Sequence, residues 1–390
     1  MDLLFLGHRV PFPPDRGDKI RSHHVLRHLA TRARVHLVAF AEDPADRMIP
    51  DDLRGELASA TIVPRLKSKG IAAIEALVAG KPVSLTAFAD PAMRHAVARV
   101  LAGQPIDAIY CFSGQMAQYL PDNGSRIVMD FVDVDSAKFE GLATRGPLAL
   151  RWLLRRETRL LGAFERDVAA RVATSLFVSE VEARLFRDGG ATGDIRAIEN
   201  GIDAAFFDPE TVTPVAEAGP LIVFTGQMDY APNVEAVTWF ARDILPLVRR
   251  RHPAARFAIV GRAPTPAVRA LAGEGVIVTG AVADVRGWLA AAAVCVAPLR
   301  VARGIQNKVL EAMAMARPIV ASDTAAEGID HAGTIRVAVD AERYAAAVSD
   351  MIDDPDMAAV LGRSARARVQ QRYAWRARLA PLDALLGIEA

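Results

Sequence analysis

Short apolar runs alternate with amphipathic, helix-length stretches along all 390 residues, predicting an α/β chain of two Rossmann-like, doubly wound parallel-sheet domains. Length points the same way, because a single ordinary core stops growing well short of this size. A break at residues 204–220, whose part 208–220 is rich in proline and acidic side chains, reads as a linker. The expected plan is a first domain over 1–203 and a second over 221–372. A C-terminal helix, 373–390, is free to pack back on the first domain.

In the first domain, apolar runs at 3–7, 35–40, 106–112, 126–131 and 173–178 are the expected strands. A proline-rich loop, 8–14, ends the first of them, and helical periodicity follows from about 18 to 30. Residues 71–79 and 91–101 read as alanine-rich helices, and 151–171 as a longer one. Ser179-Glu180-Val181-Glu182 is a capping box that starts another. In the second domain, strands are expected at 221–225, 257–260, 276–279, 294–297, 318–321 and 334–339. Helices fall between them near 233–251, 266–272, 285–292, 304–316 and 342–353. Two more follow near 356–373 and 375–386.

Composition excludes some functions. With 47 basic against 46 acidic side chains and 6% aromatics, the chain has no field for gathering nucleic acid and no base-stacking module. Cys111 and Cys295 sit in apolar runs and read as buried thiols in a reducing compartment. The opening MDLLFLGHRV lacks the basic start of a signal peptide, and no run approaches the ~20 apolar residues of a membrane span. Cytoplasmic is the expectation.

The chemistry concentrates in residues 293–328, AVCVAPLRVARGIQNKVLEAMAMARPIVASDTAAEG. A buried strand leads to a loop with Arg303 and Gly304, then a helix with Asn307, Lys308 and Glu311, then a second strand. Positive charge and a helix start at the carboxyl end of a parallel strand suit an anionic ligand. Backbone N–H groups at Gly304, with Arg303 and Lys308, would neutralise a diphosphate, and Glu311 would accept bonds from hydroxyls. The plain alternative is a surface helix with Glu311 in an ion pair. Neither half carries G-x-G-x-x-G after its first strand, which disfavours a dinucleotide dehydrogenase, and no Walker lysine motif appears.

Around this helix stand Pro298, the EAMAMARP run, PIVAS and Glu327-Gly328. With Phe224-Thr-Gly226, Gly226-Gln-Met-Asp-Tyr-Ala-Pro-Asn233, Ile259-Val-Gly261, Val278-Thr-Gly280 and Asn200-Gly201-Ile202-Asp203, the combination resembles the retaining glycosyltransferases of family four. The resemblance covers nearly the whole chain and is strongest over 178–328. It implies the GT-B fold, two Rossmann-like domains facing a central cleft, with the nucleotide-sugar donor on the second domain and most of the acceptor on the first. Glu311 matches the second glutamate of the family's E-x(7)-E motif, and Arg303 stands in the place of the first. Gln227 occupies a position where an arginine is common, so Lys308 and Arg303 are expected to replace that charge. The donor pocket is assigned Gly226, Gly261, Val282, Gly304, Asn307 and Glu327. Gly17 resembles the family's glycine loop, whose backbone approaches the donor diphosphate; a turn and helix cap is the other reading.

Several first-domain features stay open. Arg16, Lys19 and Arg21 face either an anionic acceptor or water. His24 and His28 share a helix face, but zinc lacks further ligands there, so solvated or core histidines are expected. His8 reads as an acceptor contact or a satisfied loop residue. Asp130, Asp133 and Asp135 follow a strand: Asp133 or Asp135 orients sugar hydroxyls or acts as base, or Asp135 or Ser136 caps the next helix. A divalent cation is a further reading of that cluster, and the resemblance implies that no metal is required. Arginine stripes at Arg151, Arg155 and Arg159, beside Trp152, and at Arg368, Arg372 and Arg376, beside Tyr373 and Trp375, suit anionic lipid, solvent or salt bridges.

The expected function is therefore a hexosyltransferase moving a sugar from a nucleotide-diphosphate sugar to a hydroxyl of a glycan or lipid-linked acceptor. By the resemblance it works with retention, in an exopolysaccharide-type pathway; the arginine stripes add the inner face of a membrane as an optional site for a cytoplasmic protein. The alternatives are a sugar-nucleotide epimerase of the same architecture and a non-catalytic sugar-nucleotide-binding protein.

Overall fold

The computed structural model describes residues 1–14, 17–122, 124–142, 148–302 and 305–389. It divides into two compact units: Met1–Asn200 with Arg378–Ala390, and Gly201–Ala377.

In the first unit, β1 (Asp2–Gly7), β2 (Arg34–Ala41), β3 (Ser59–Pro64), β4 (Ile106–Phe112), β5 (Arg126–Val132), β6 (Thr174–Phe177) and β7 (Ile195–Ala197) form one sheet. Its order is β3-β2-β1-β4-β5-β6-β7, with every pairing parallel. Helices cover the sheet, so Leu3, Leu4, Phe5 and Leu6 at its centre are wholly buried. The sequence reading missed β3 and β7, and these are the two edges. β3 is mostly half-exposed and β7 only three residues long, so neither shows the continuous apolar run of a central strand.

Two basic residues expected to face acceptor or water are instead buried on the helix Gly17–Ala30. Lys19 Nζ donates to Asp46 Oδ1 at 2.9 Å and to the Phe12 carbonyl at 3.2 Å. Arg21 is 1% exposed, and its Nε donates to Oδ2 of the fully buried Asp130 at 2.8 Å. Its Nη1 reaches the Ile198 carbonyl at 2.8 Å and Asn200 Oδ1 at 3.0 Å. The Tyr110 hydroxyl donates to the same carboxylate. Burial opposes the Arg21 charge, but Asp130 overrides it and holds the guanidinium pKa above its ordinary value. Arg16 lies outside the described residues.

The histidine face is likewise structural. His28 Nε2 and Arg32 Nε each meet Asp383 at 2.9 Å, tying the C-terminal residues to this helix. His23 Nδ1 lies 3.0 Å from the Pro11 carbonyl. The capping box forms by half. Ser179 caps its helix through the Glu182 N–H at 3.2 Å, while the Glu182 carboxylate turns away to accept from Val134 N at 2.7 Å.

In the second unit, β8 (Leu221–Thr225), β9 (Arg256–Val260), β10 (Val276–Gly280), β11 (Val294–Ala297), β12 (Ile319–Ala321) and β13 (Arg336–Val337) give a parallel sheet ordered β10-β9-β8-β11-β12-β13. The order reverses between β8 and β11, the switch point outside which open α/β sheets bind ligands. The expected helix 233–251 is interrupted: Ala231–Trp239 passes through a π-helical turn, Phe240–Ile244, into Leu245–Arg251. Pro246 lacks an amide proton, which favours this break in the ladder.

Asp130→Asn leaves the Arg21 charge buried without its anion. It is expected to destabilise the protein by about 3–5 kcal/mol, read as a lowered urea midpoint.

Candidate functional site

Three chain segments reach the switch point of the second sheet. The loop after β8 begins at Gly226, and the loop after β9 at Gly261. These two touch: a Cβ on Gly261 would lie 1.6 Å from the Gly226 carbonyl oxygen, and one on Gly226 would lie 2.8 Å from Asn233 Nδ2. Only glycine permits that approach. The third segment is the helix Asn307–Ala314, which buries Val309, Leu310, Ala312, Met313 and Ala314 and turns Lys308 and Glu311 the other way.

Together they line a cavity of about 560 Å³ with Thr225, Gly226, Gly261, Arg262, Val282, Gln306, Asn307, Lys308 and Glu311 among its walls. Six residues singled out from sequence thus converge: Gly226, Gly261, Val282, Asn307, Lys308 and Glu311. Glu327 is not in the lining. It is exposed at the end of the helix Asp323–Ala326, and the Cβ position of its neighbour Gly328 lies 4.0 Å from Ile305 of the cavity wall. Arg303 and Gly304 lie outside the described residues. The helix expected from 304 starts instead at Asn307, after an extended Gln306 that makes no side-chain cap bond. Its first N–H groups therefore open at the cavity without an amide-capping side chain.

Lys308 is held rather than solvated. Its Nζ donates to Asn233 Oδ1 at 2.6 Å and sits 4.7 Å from the centre of the Phe224 ring. Asn233, itself buried, is fixed in turn by donating from Nδ2 to the Gln227 carbonyl at 2.9 Å. Burial pulls the Lys308 ammonium down to about 8, with Glu311 opposing. Burial likewise pushes the Glu311 carboxyl up to about 7, with Lys308 opposing. Among the described residues Glu311 makes no hydrogen bond, so both of its oxygens are available to a ligand. The alternative of an exposed helix with Glu311 in a surface ion pair does not hold. A strongly desolvated pair of titrating groups in a cavity is a mark of a functional site.

Sequence reading missed two further residues here. Arg262 follows Gly261, and its Nη2 donates to Gln227 Oε1 at 3.0 Å. It has no carboxylate partner among the described residues, so a cation stands beside the position where an arginine was looked for and not found. Its place just past a strand-ending glycine was the available signal. Thr225 is 5% exposed, and its Oγ1 is buried without a hydrogen-bond partner. A β-branched residue closing a strand gave no such hint.

The first-unit candidates are described within their own unit. Gly17 is the first residue of its helix. Asp133 Oδ2 and Asp135 Oδ1 accept from Lys138 Nζ at 2.9 and 3.0 Å. The amides of Val134 and Ser136 are taken by Glu182 and Glu165 from other helices, so Asp135 and Ser136 are not needed as caps. Burial raises the Glu165 carboxyl to about 7. His8 packs on Phe112 at 5.7 Å between ring centres and edge-on to Phe88 at 6.0 Å. Among the described residues no group of three or more His, Cys, Asp or Glu converges as a metal site.

Residues 219–354, which hold the whole cavity, match the family model described as Glycosyl transferases group 1. No curated protein matches the chain. Among solved structures it is similar to sucrose-phosphate synthase from Thermosynechococcus elongatus, with 18% identity over 98% of both chains and a TM-score of 0.59. It is similar to HepE from Anabaena in complex with UDP, with 15% identity over 99% of this chain and 100% of that one, TM-score 0.61. WaaG, a glycosyltransferase involved in lipopolysaccharide biosynthesis, matches at 15% identity over 99% and 100%, TM-score 0.57. The two parallel sheets are those of the GT-B fold. The protein is a glycosyltransferase. More narrowly, residues 219–354 of its second unit are similar to the group 1 glycosyl transferases.

Gly261→Ala drives a side chain into the Gly226 backbone. It is expected to destabilise the protein by at least about 2 kcal/mol in urea denaturation, whereas Gly55→Ala, which meets nothing within 4 Å, stays within about 0.5 kcal/mol or gains slightly.

Proposed function

We propose that the chain transfers a hexose-type sugar from a nucleotide-diphosphate sugar to a hydroxyl of a glycan or lipid-linked acceptor, with retention, in polysaccharide biosynthesis. The observation that carries this reading is Lys308, desolvated at a helix start that lacks a capping side chain and facing the same cavity as Glu311. Negative charge builds on the diphosphate as the sugar departs. Lys308, the N–H groups at Asn307 and the guanidinium of Arg262 are fixed donors for that charge. Glu311 holds donor hydroxyls. Val282 walls the pocket, and Gly226 and Gly261 let the donor lie against the backbone. Arg303 and Gly304 are assigned to the diphosphate by sequence alone, and Glu327 to the donor side nearby. In the first unit, Gly17 is assigned to the approach to the diphosphate and Asp133 to the acceptor hydroxyl.

UDP and UDP-glucose occupy structures of HepE and are the first ligands to test. An epimerase needs an acid and a base carboxylate, and Glu311 is the single carboxylate among the residues lining the second-unit cavity. That favours transfer. No metal is required in this reading, so chelation leaves turnover unchanged. The setting proposed is cytoplasmic, at the inner face of a membrane; no described helix is long and apolar enough to cross one.

Incubation with UDP-glucose tests the reading: slow release of UDP and glucose is expected, and an isomerised sugar nucleotide would support an epimerase instead. Lys308→Ala is expected to cut turnover at least about a hundredfold; near-normal kinetics would reject its role.

UDP affinity carries a pH signature. Lys308 loses its proton above about 8, and Glu311 gains negative charge above about 7, so both changes disfavour a bound anion as pH rises. Affinity is expected to fall above pH 8 by up to roughly tenfold per unit, and Lys308→Arg to flatten that limb, in calorimetric titrations.

A further inference from the structure

The helix Lys69–Val78 is turned inside out. It buries Ala72 and Ala76, while Ile71, Ile74 and Val78, at helical spacing, are 54%, 66% and 86% exposed. Leu77 and, just before the helix, Leu66 are exposed as well. Singly exposed apolar residues are ordinary, but a contiguous aliphatic face on an otherwise well-buried chain indicates a contact.

This face continues onto the long helix Leu148–Arg171. Arg156 Nη2 donates to the Ala76 carbonyl at 2.9 Å and its Nη1 to the Lys81 carbonyl at 3.0 Å, fixing the two helices together. One turn before Arg156 lies Trp152, 61% exposed, and Arg155 and Arg159 are exposed on the same stripe. Neither arginine has a carboxylate partner among the described residues. The acidic residue on the apolar helix, Glu75, is neutralised by Lys67 at 2.7 Å. Between the helices runs a groove of about 760 Å³ lined by Ile74, Val78, Leu85, Leu160 and Phe164, with Lys81 at its rim.

The second arginine stripe differs. Arg368 and Arg372 share the single carboxylate of Asp330, and Tyr373 and Trp375 are buried, so the exposed arginines of that stripe have no free aromatic surface beside them.

We propose that the face formed by Ile71, Ile74, Val78, Trp152, Arg155 and Arg159 docks on an anionic lipid surface, with acyl chains seated at the groove. Aliphatic side chains, an exposed tryptophan and unpaired arginines on one face match the apolar boundary and negative headgroups of such a surface. This rests on the reading of a lipid-linked acceptor for its purpose, and its test does not depend on transfer.

The full chain is sedimented with vesicles of phosphatidylglycerol and phosphatidylcholine, or of phosphatidylcholine alone, at low salt. Binding is expected to the anionic vesicles, weakened at least roughly tenfold by Arg155→Glu with Arg159→Glu, and also weakened by Ile74→Ser with Val78→Ser. Arg372→Glu leaves it unchanged. Lipids brominated in the chain quench fluorescence of the wild type more than of Trp152→Phe. UDP affinity is the same in all four variants, so a failed vesicle result is separable from a failed transferase reading. Equal binding by the charge-reversed pair, or equal binding to neutral vesicles, overturns the proposal. So does a dimer in sedimentation velocity that Ile74→Ser with Val78→Ser dissociates, which would make the face a contact between copies.

Discussion

The contact between the loops at Gly226 and Gly261 is the constraint on which the rest of the candidate site depends. With no side chain on either residue, the ends of β8 and β9 close to backbone distance, and Asn233 packs against Gly226. Asn233 then has one face for the Gln227 carbonyl and one for Lys308. The lysine is thereby aimed into the cavity and kept from water. A bulkier loop residue would disturb the strand ends, the asparagine and the ammonium together, because each positions the next.

The two units handle buried charge in opposite ways. Arg21 and Asp130 are withdrawn from water with almost every polar atom partnered, by Tyr110, Asn200 and backbone as well as by each other. Such a saturated network holds strand and helix ends in place and offers little to a ligand. Lys308 and Glu311 are desolvated but under-partnered, and their ordinary charge states are correspondingly weakened. An anion with hydroxyls attached would complete both groups. The difference lies in satisfied valence, since both pairs are largely removed from solvent.

What could be read in advance follows burial. The strands of the second sheet were legible because most lie in continuous apolar runs; the short, exposed edge β13 falls inside the longer stretch expected at 334–339, and the edges β3 and β7 of the first sheet were not legible. Gly226, Gly261, Lys308 and Glu311 were legible because glycine at a strand end and charge on an otherwise apolar helix are local signals. Lys19 and Arg21 were misread because their partners Asp46 and Asp130 lie 27 and 109 residues away, and nothing local reveals such pairings. Arg262 and Thr225 were missed because their meaning comes from what surrounds them.

The sequence alone determined the α/β class, the two-sheet plan and the charged helix at a strand's carboxyl end, since periodicity and residue type act over a few neighbours. Tertiary structure decided which charges are spent on holding the fold and which remain for a ligand. It also decided that the helix Lys69–Val78 turns its alanines inward and its isoleucines out. Those outcomes depend on partners distant in the chain, and desolvation is a property of the packed surroundings that no residue carries by itself.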